Sequence, residues 1–167
     1  MIRPSRRAVL ALPLLLAACA SEPPAPPPSR RALAAVRLDP DQATAWLNAY
    51  RARRGLAPVQ LDSDLAALAQ AQADAMAAAD HMSHDVKGGF AARLAASGLK
   101  AGEAGENVCA GYFSTDEAMQ AWAHSPEHDA NLRLASATRF GIGLAKNAGS
   151  GLGTFWAMAI ASPAPGT

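Results

Sequence analysis

The chain is short of the features that would place it quickly. It has two cysteines among 167 residues, only three Trp, two Tyr and four Phe, and no dominant charge, with fifteen Lys and Arg against fourteen Asp and Glu. Two cysteines permit at most one intramolecular disulfide. Few aromatics and no lysine or arginine stripe argue against a nucleic-acid partner. Several of the arginines fall in the first 31 residues, so the net charge of +1 says little about the folded part. No apolar run approaches the roughly 20 residues that span a bilayer. No internal repeat and no second linker is visible, and the length suits one domain. What remains is ordinary for a globular core, with half of the residues apolar and 17% charged.

The N-terminus is more informative. Arg3, Arg6 and Arg7 precede an apolar run from Ala8 to Ala18, closing on Leu16-Ala17-Ala18-Cys19. A basic start, a short apolar core and small residues at its end describe a secretory signal. Leu-Ala-Ala-Cys resembles the lipobox of bacterial lipoproteins, which implies that Cys19 is lipidated and becomes the first mature residue. Ser5-Arg6-Arg7 also resembles a twin-arginine export signal. With no aspartate just after the cysteine, the expected anchor lies in the outer membrane if the source has two membranes. Cys109 is then left without an intramolecular partner and reads as a buried small hydrophobe. Glu22-Pro-Pro-Ala-Pro-Pro-Pro-Ser29 forms an extended spacer. The expected division is a signal over 1–18, a lipidated cysteine and linker over 19–38, and a domain over 39–162.

Asp39-Pro40 reads as a helix cap and first helical residue, with Ala43, Trp46, Leu47 and Tyr50 at helical spacing and Gly55 closing the helix. Asp62-Ser63 opens an alanine-rich helix to about Ala79, followed by a loop through His81 and His84. Phe90, Leu94 and Ala95 predict a short helix ended by Gly98. Glu106 to Tyr112 predicts a strand, and Thr115 to His124 a helix begun by Ser114. Phe140 to Leu144 and Phe155 to Ile160 predict two strands around a glycine-rich turn over 149–153. Helices come first and strands last, which is α+β without βαβ alternation.

His124-Ser-Pro-Glu127-His128 fits the inverted zinc-protease pattern H-x-x-E-H. That chemistry needs one unbroken helix, so that residues four apart aim at one metal. Pro126 costs roughly 3 kcal/mol inside a helix, whereas Ser125-Pro126 starts a new one naturally. The spacing spans a break, and the protease reading fails.

A different pattern accounts for the same residues. Met82-Ser83-His84, Gly105-Glu106-Asn107, Glu117 to Trp122, Ser125 to Leu132 and Gly141-Ile142-Gly143-Leu144 occur in order. Together they resemble the CAP superfamily of cysteine-rich secretory, antigen 5 and pathogenesis-related proteins, in its short bacterial branch, over nearly all of 39–161. The resemblance implies a three-layer α-β-α sandwich with His84, Glu106, Glu117 and His128 lining a central cleft. It also implies a zinc-type ion on His84 and His128, with the glutamates behind it. Glu127 and Asp129 depart from the bacterial pattern, which usually has glycine and arginine there. His81 and His124 match no cleft position.

Each residue has a plainer reading. Ser114-Thr-Asp-Glu117 is also a capping box, with Glu117 reaching back to the Ser114 amide. Glu106 can be a strand-end carboxylate, His84 a helix cap, and His128 a core histidine. No serine or cysteine nucleophile accompanies the four, and Cys109 lies an odd number of residues past Glu106, on the opposite face of a strand. Three functions follow from the resemblance. The first is an envelope-anchored, non-enzymatic module binding a small-molecule, lipid or protein ligand in the cleft. The second is a hydrolase of peptide or cell-wall material acting through metal-bound water. The third is a structural envelope protein.

Overall fold

The computed structural model describes residues 29–164 and 166. The expected signal, Cys19 and proline-rich spacer lie in 1–28, outside the described residues. Six helices and four strands follow in order: α1 (Arg30–Ala35), α2 (Pro40–Ala52), β1 (Gln60–Leu61), α3 (Ser63–Ala79), α4 (Phe90–Ala96), β2 (Ala104–Ala110), α5 (Thr115–His124), α6 (Pro126–Leu132), β3 (Arg139–Lys146) and β4 (Thr154–Ala161). No helix among the described residues is long and apolar enough to cross a membrane.

Local chemistry sets the helix ends. The Asp39 carboxylate accepts from the Gln42 amide at 2.9 Å, with Pro40 in the first turn of α2. Asp62 accepts from the amides of Asp64 and Leu65 at 3.0 and 2.9 Å, opening α3. Asp80 ends α3 in the left-handed region at φ 48°. Ser125 is extended, at φ −101° and ψ 119°, and separates α5 from α6. The break at Pro126 thus lies where the proline argument puts it.

The sheet runs β1-β3-β4-β2. β2 and β3 flank β4 antiparallel, and β1 adds two residues parallel to β3. Every residue of β4 is buried, so both faces of the sheet are covered. Trp156, Met158 and Ile160 of β4 join Leu47, Tyr50, Met119 and Trp122 from α2 and α5 on one face. The other face carries Ala157, Ala159 and Ala161 of β4 beside Gly141 and Gly143 of β3, and α3 packs there through Leu65, Ala69, Ala73 and Met76. This is the expected α-β-α sandwich, and α3 lies close against the sheet over Gly141 and Gly143, with Phe155 filling the end of that face. A Cβ on Gly141 would lie 2.0 Å from the Ala66 amide nitrogen, and one on Gly143 would lie 2.5 Å from the Gln70 Cα.

Arg51 sits in the core with none of its surface exposed. It donates to the carbonyls of Ala57, Leu132, Leu134 and Ala137 at 2.8, 2.9, 3.1 and 3.5 Å, fastening α2 to the segment after α6.

Two expectations change. The folded part begins before Leu38: α1 occupies what reads as linker, and Leu33 and Val36 are buried. The structure also adds β1, too short for a period-two pattern to register.

Candidate functional site

The site lies along the β2 edge of the sheet. Glu106 and Asn107 are successive strand residues, so their side chains leave on opposite faces. Towards the α3 and α4 side, the Glu106 carboxylate is almost wholly buried, with 2% of its side-chain surface exposed, whereas His84 is 46% exposed. The His84 Nδ1–H donates to Glu106 Oε1 at 2.8 Å. An ionised carboxylate can only accept, so the proton between the two sits on Nδ1, and the Nε2 lone pair is free whenever the imidazole is neutral.

Arg93 of α4 completes this corner. Its Nη2 donates to both Glu106 oxygens at 2.8 and 2.7 Å and to the His84 carbonyl at 3.3 Å. Its Nε holds the Gly88 carbonyl at 2.9 Å. Gln72 of α3 fixes the same loop by donating to the Ser83 carbonyl at 2.6 Å. The sequence reading missed Arg93, although a signal existed: it is the sole charged residue between Lys87 and Lys100, on a short apolar helix.

On the other face, Asn107 Nδ2 donates to the His128 carbonyl at 3.0 Å. Asn131 Nδ2 donates to Asn107 Oδ1 at 2.8 Å and to the Glu106 carbonyl at 3.0 Å. This amide pair hangs α6 on β2 and sets where His128 stands. Gly105 makes room for it, since a Cβ there would fall 2.3 Å from Asn131 Oδ1. The Gly105-Glu106-Asn107 stretch and the distant Asn131 are therefore one packing unit.

His128 is half-buried. Burial lowers its pKa, and the nearby charge of His84 lowers it further, against an opposing contribution from Glu127. The unfolded chain therefore takes up a proton near the ordinary imidazole value, about 6.5, before the folded chain does. Stability contributed by neutral His128 is present above that value and is lost as pH falls through the lowered folded value. In NMR titrations the His128 ring is expected to protonate at a lower pH than free imidazole. Acid destabilisation is expected to be shallower in His128→Gln.

Glu117 stands apart from the other three. It is exposed and accepts from the Phe113 amide at 2.7 Å, while the Ser114 hydroxyl accepts from the Glu117 amide at 3.2 Å. The capping box is therefore present, but its return bond goes to Phe113 and not to Ser114. Glu117 lines an open depression with Tyr112, His124 and Ser125, adjoining a cavity of about 380 Å³ beside His128 that shares Tyr112, Ala121 and Ser125. Of the other histidines, His124 donates from Nδ1 to the Gln120 carbonyl at 2.7 Å, and His81 is exposed. Cys109 is a free, buried thiol whose pKa burial pushes up, which makes it a poor nucleophile.

The donor set allows a specific test for a metal. His84 has one nitrogen on a carboxylate and one free, the usual arrangement of a metal-binding histidine, and His128 is biased towards its neutral form. Among the described residues, however, no three His, Cys, Asp or Glu side chains converge as a ligand group. The described residues do not fit a zinc site with three or four protein ligands, which leaves the two imidazoles as the protein ligands an ion would have.

A sandwich of this topology with a His-Glu corner at its sheet edge is the CAP architecture. The model of the CAP, cysteine-rich secretory protein family matches residues 45–160, and the chain belongs to that family. It is 28% identical over 111 residues to the uncharacterized protein YkwD of Bacillus subtilis, a match covering 65% of this chain but only 41% of YkwD. Among solved structures it is similar to an extracellular SCP-domain protein of Bacillus anthracis, with TM-score 0.65 and 24% identity over 75% of this chain and 44% of that one. It is also similar to an outer surface protein of Borrelia burgdorferi, with TM-score 0.66 and 15% identity over 75% and 96% of the two chains.

Proposed function

We propose that the protein is an extracytoplasmic, lipid-anchored CAP module that binds a ligand or partner in the cleft of His84, Glu106, Glu117 and His128, with a zinc-type ion as an exchangeable participant. The observation that carries this reading is the His84–Glu106–Arg93 corner. It holds one imidazole with its free nitrogen presented and its other nitrogen fixed, beside a half-buried second imidazole and a ligand-sized cavity. The N-terminal signal and Cys19 supply the anchor.

Binding is favoured over hydrolysis because, among the described residues, no activated nucleophile adjoins the corner. Metal-bound water would also need the three-ligand cage that the described side chains do not assemble. When bound, the ion would add a Lewis-acidic contact for a donor atom of the ligand. The chain's own groups orient His84, keep its proton on Nδ1 and shield Glu106 from water.

Equilibrium dialysis of the purified protein with zinc tests this. Wild type is expected to take up zinc saturably and to lose it to a chelator. A His84→Ala, His128→Ala double variant is expected to take up none while still unfolding in one cooperative transition, at a lowered melting temperature because Glu106 loses its imidazole partner. Wild-type uptake by that variant would end the reading.

A further inference from the structure

The site reading leaves unused the outer edge of β2, which pairs with β4 on one side only. Ladder parity tells which backbone groups look outward. The Gly111 amide donates to the Thr154 carbonyl at 3.0 Å, and the Ser162 amide to the Glu103 carbonyl at 2.9 Å. Both pairs fall on odd-numbered residues of the β2 segment, so the even-numbered residues between them turn their N–H and C=O away from β4. The outward carbonyl of Glu106 is occupied by Asn131 at 3.0 Å. No hydrogen bond among the described residues reaches the outward groups of Val108 or Ala110. Val108 is only 3% exposed, so its outward groups do not look onto open solvent, whereas Ala110 at the end of the strand is partly exposed. Buried backbone donors and acceptors without partners are costly and uncommon.

They face the 380 Å³ cavity, whose walls include Val108, Ala110, Trp122 and His128. The described residues have four exposed large apolar side chains, and three of them, Met82, Tyr112 and Leu152, rim this one hollow. Trp122 is fully buried, yet its indole N–H has no acceptor. A lipid chain would match the apolar rim and leave the strand edge and the indole unsatisfied. An extended peptide offers alternating N–H and C=O groups to the edge, with a side chain directed sideways into the hollow. Apart from the His128 imidazole the walls hold no acid or base to pair with a charge, so that side chain is uncharged.

We infer that this cavity docks an extended peptide segment, which adds to the outer edge of β2 at Val108 and Ala110 and seats one apolar side chain among Met82, Tyr112 and Leu152. The inference rests on reading the cleft as a binding site, and it supplies the ligand class.

The probe is an acetylated, amidated alanine pentapeptide with a central leucine, titrated into isotope-labelled protein and followed by NMR. The Val108 and Ala110 amides are expected to shift and to gain exchange protection. Peptides with a central aspartate, or with the leucine amide N-methylated, are expected to bind about tenfold more weakly, as for one hydrogen bond lost in a dry site. Ala110→Pro removes an outward N–H without touching the ladder and is expected to abolish binding at an unchanged melting temperature. Should that variant not fold, Ala121→Phe, which fills the hollow from α5, is expected to give the same loss. Absence of any shift at millimolar peptide, shifts confined to another surface, or dodecanoate filling the hollow while both amides stay still would each overturn the inference. Zinc uptake separates the two readings. Uptake without peptide docking overturns strand addition alone, and docking without uptake removes the metal while leaving strand addition intact.

Discussion

Arg93→Leu is expected to cost the fold about 3–5 kcal/mol, the range for removing one partner of a buried ion pair. The Glu106 side chain is 2% exposed and the Arg93 side chain 12% exposed, so water cannot replace the guanidinium. The same substitution frees the Gly88 and His84 carbonyls, and with them the loop that carries His84. A double-mutant cycle with Glu106→Gln measures the coupling directly, because removing the charge together with its partner restores part of the loss. Chemical denaturation reads the stability. Zinc titration is the second readout: once Glu106 no longer orients the imidazole, affinity is expected to fall by about 10- to 100-fold, as when a group behind a metal ligand is lost. An Arg93→Leu variant as stable as wild type would show that the pair holds nothing in place.

Gly141→Ala is expected to destabilise by about 3 kcal/mol, at the upper end for overpacking by one methyl group, which lowers the melting temperature by roughly 10 °C. The added carbon would meet the backbone of α3 at Ala66 and Leu65, at 2.0 and 2.2 Å. A backbone cannot rotate aside as a side chain can, so the whole helix must lift off the sheet. Gly143→Ala meets the same helix a turn later, at Gln70, and is expected to cost less than twice as much in combination, because the first substitution has already moved α3 away. Thermal unfolding of the single and double variants checks both magnitude and non-additivity.

The elements that could be read from sequence are those whose causes are local. Asp39, Asp62 and Ser114 cap their own helices, Pro126 breaks its own segment, and the period of α3 is set within seventeen residues. The helix over Ser63–Ala79 and the strand residues of β4 therefore fall where the pattern puts them. What escaped is held by partners far along the chain. α1 is six residues long, and its two buried side chains acquire their meaning only from a core built later in the chain. β1 exists because β3, some eighty residues on, offers it an edge. Arg93 looks like a solubilising residue until Glu106 is placed beneath it. Family likeness named His84, Glu106, Glu117 and His128 together, but only coordinates show that the first two are hydrogen-bonded while Glu117 bonds to its own helix start. The alternating glycines of Gly141-Ile142-Gly143 likewise appear in the motif without a reason. The reason is the depth to which α3 sinks.

Arg51 gives the domain a clasp that acid does not open. Burial draws its pKa downward, but a guanidinium keeps its charge throughout the physiological range, and all its partners are carbonyls that never titrate. The segment from Leu132 to Ala137 therefore stays moored to α2 while the His128 imidazole, just upstream, gains and loses its proton. The wall of the hollow at His128 can change its charge as the pH falls without its frame coming loose.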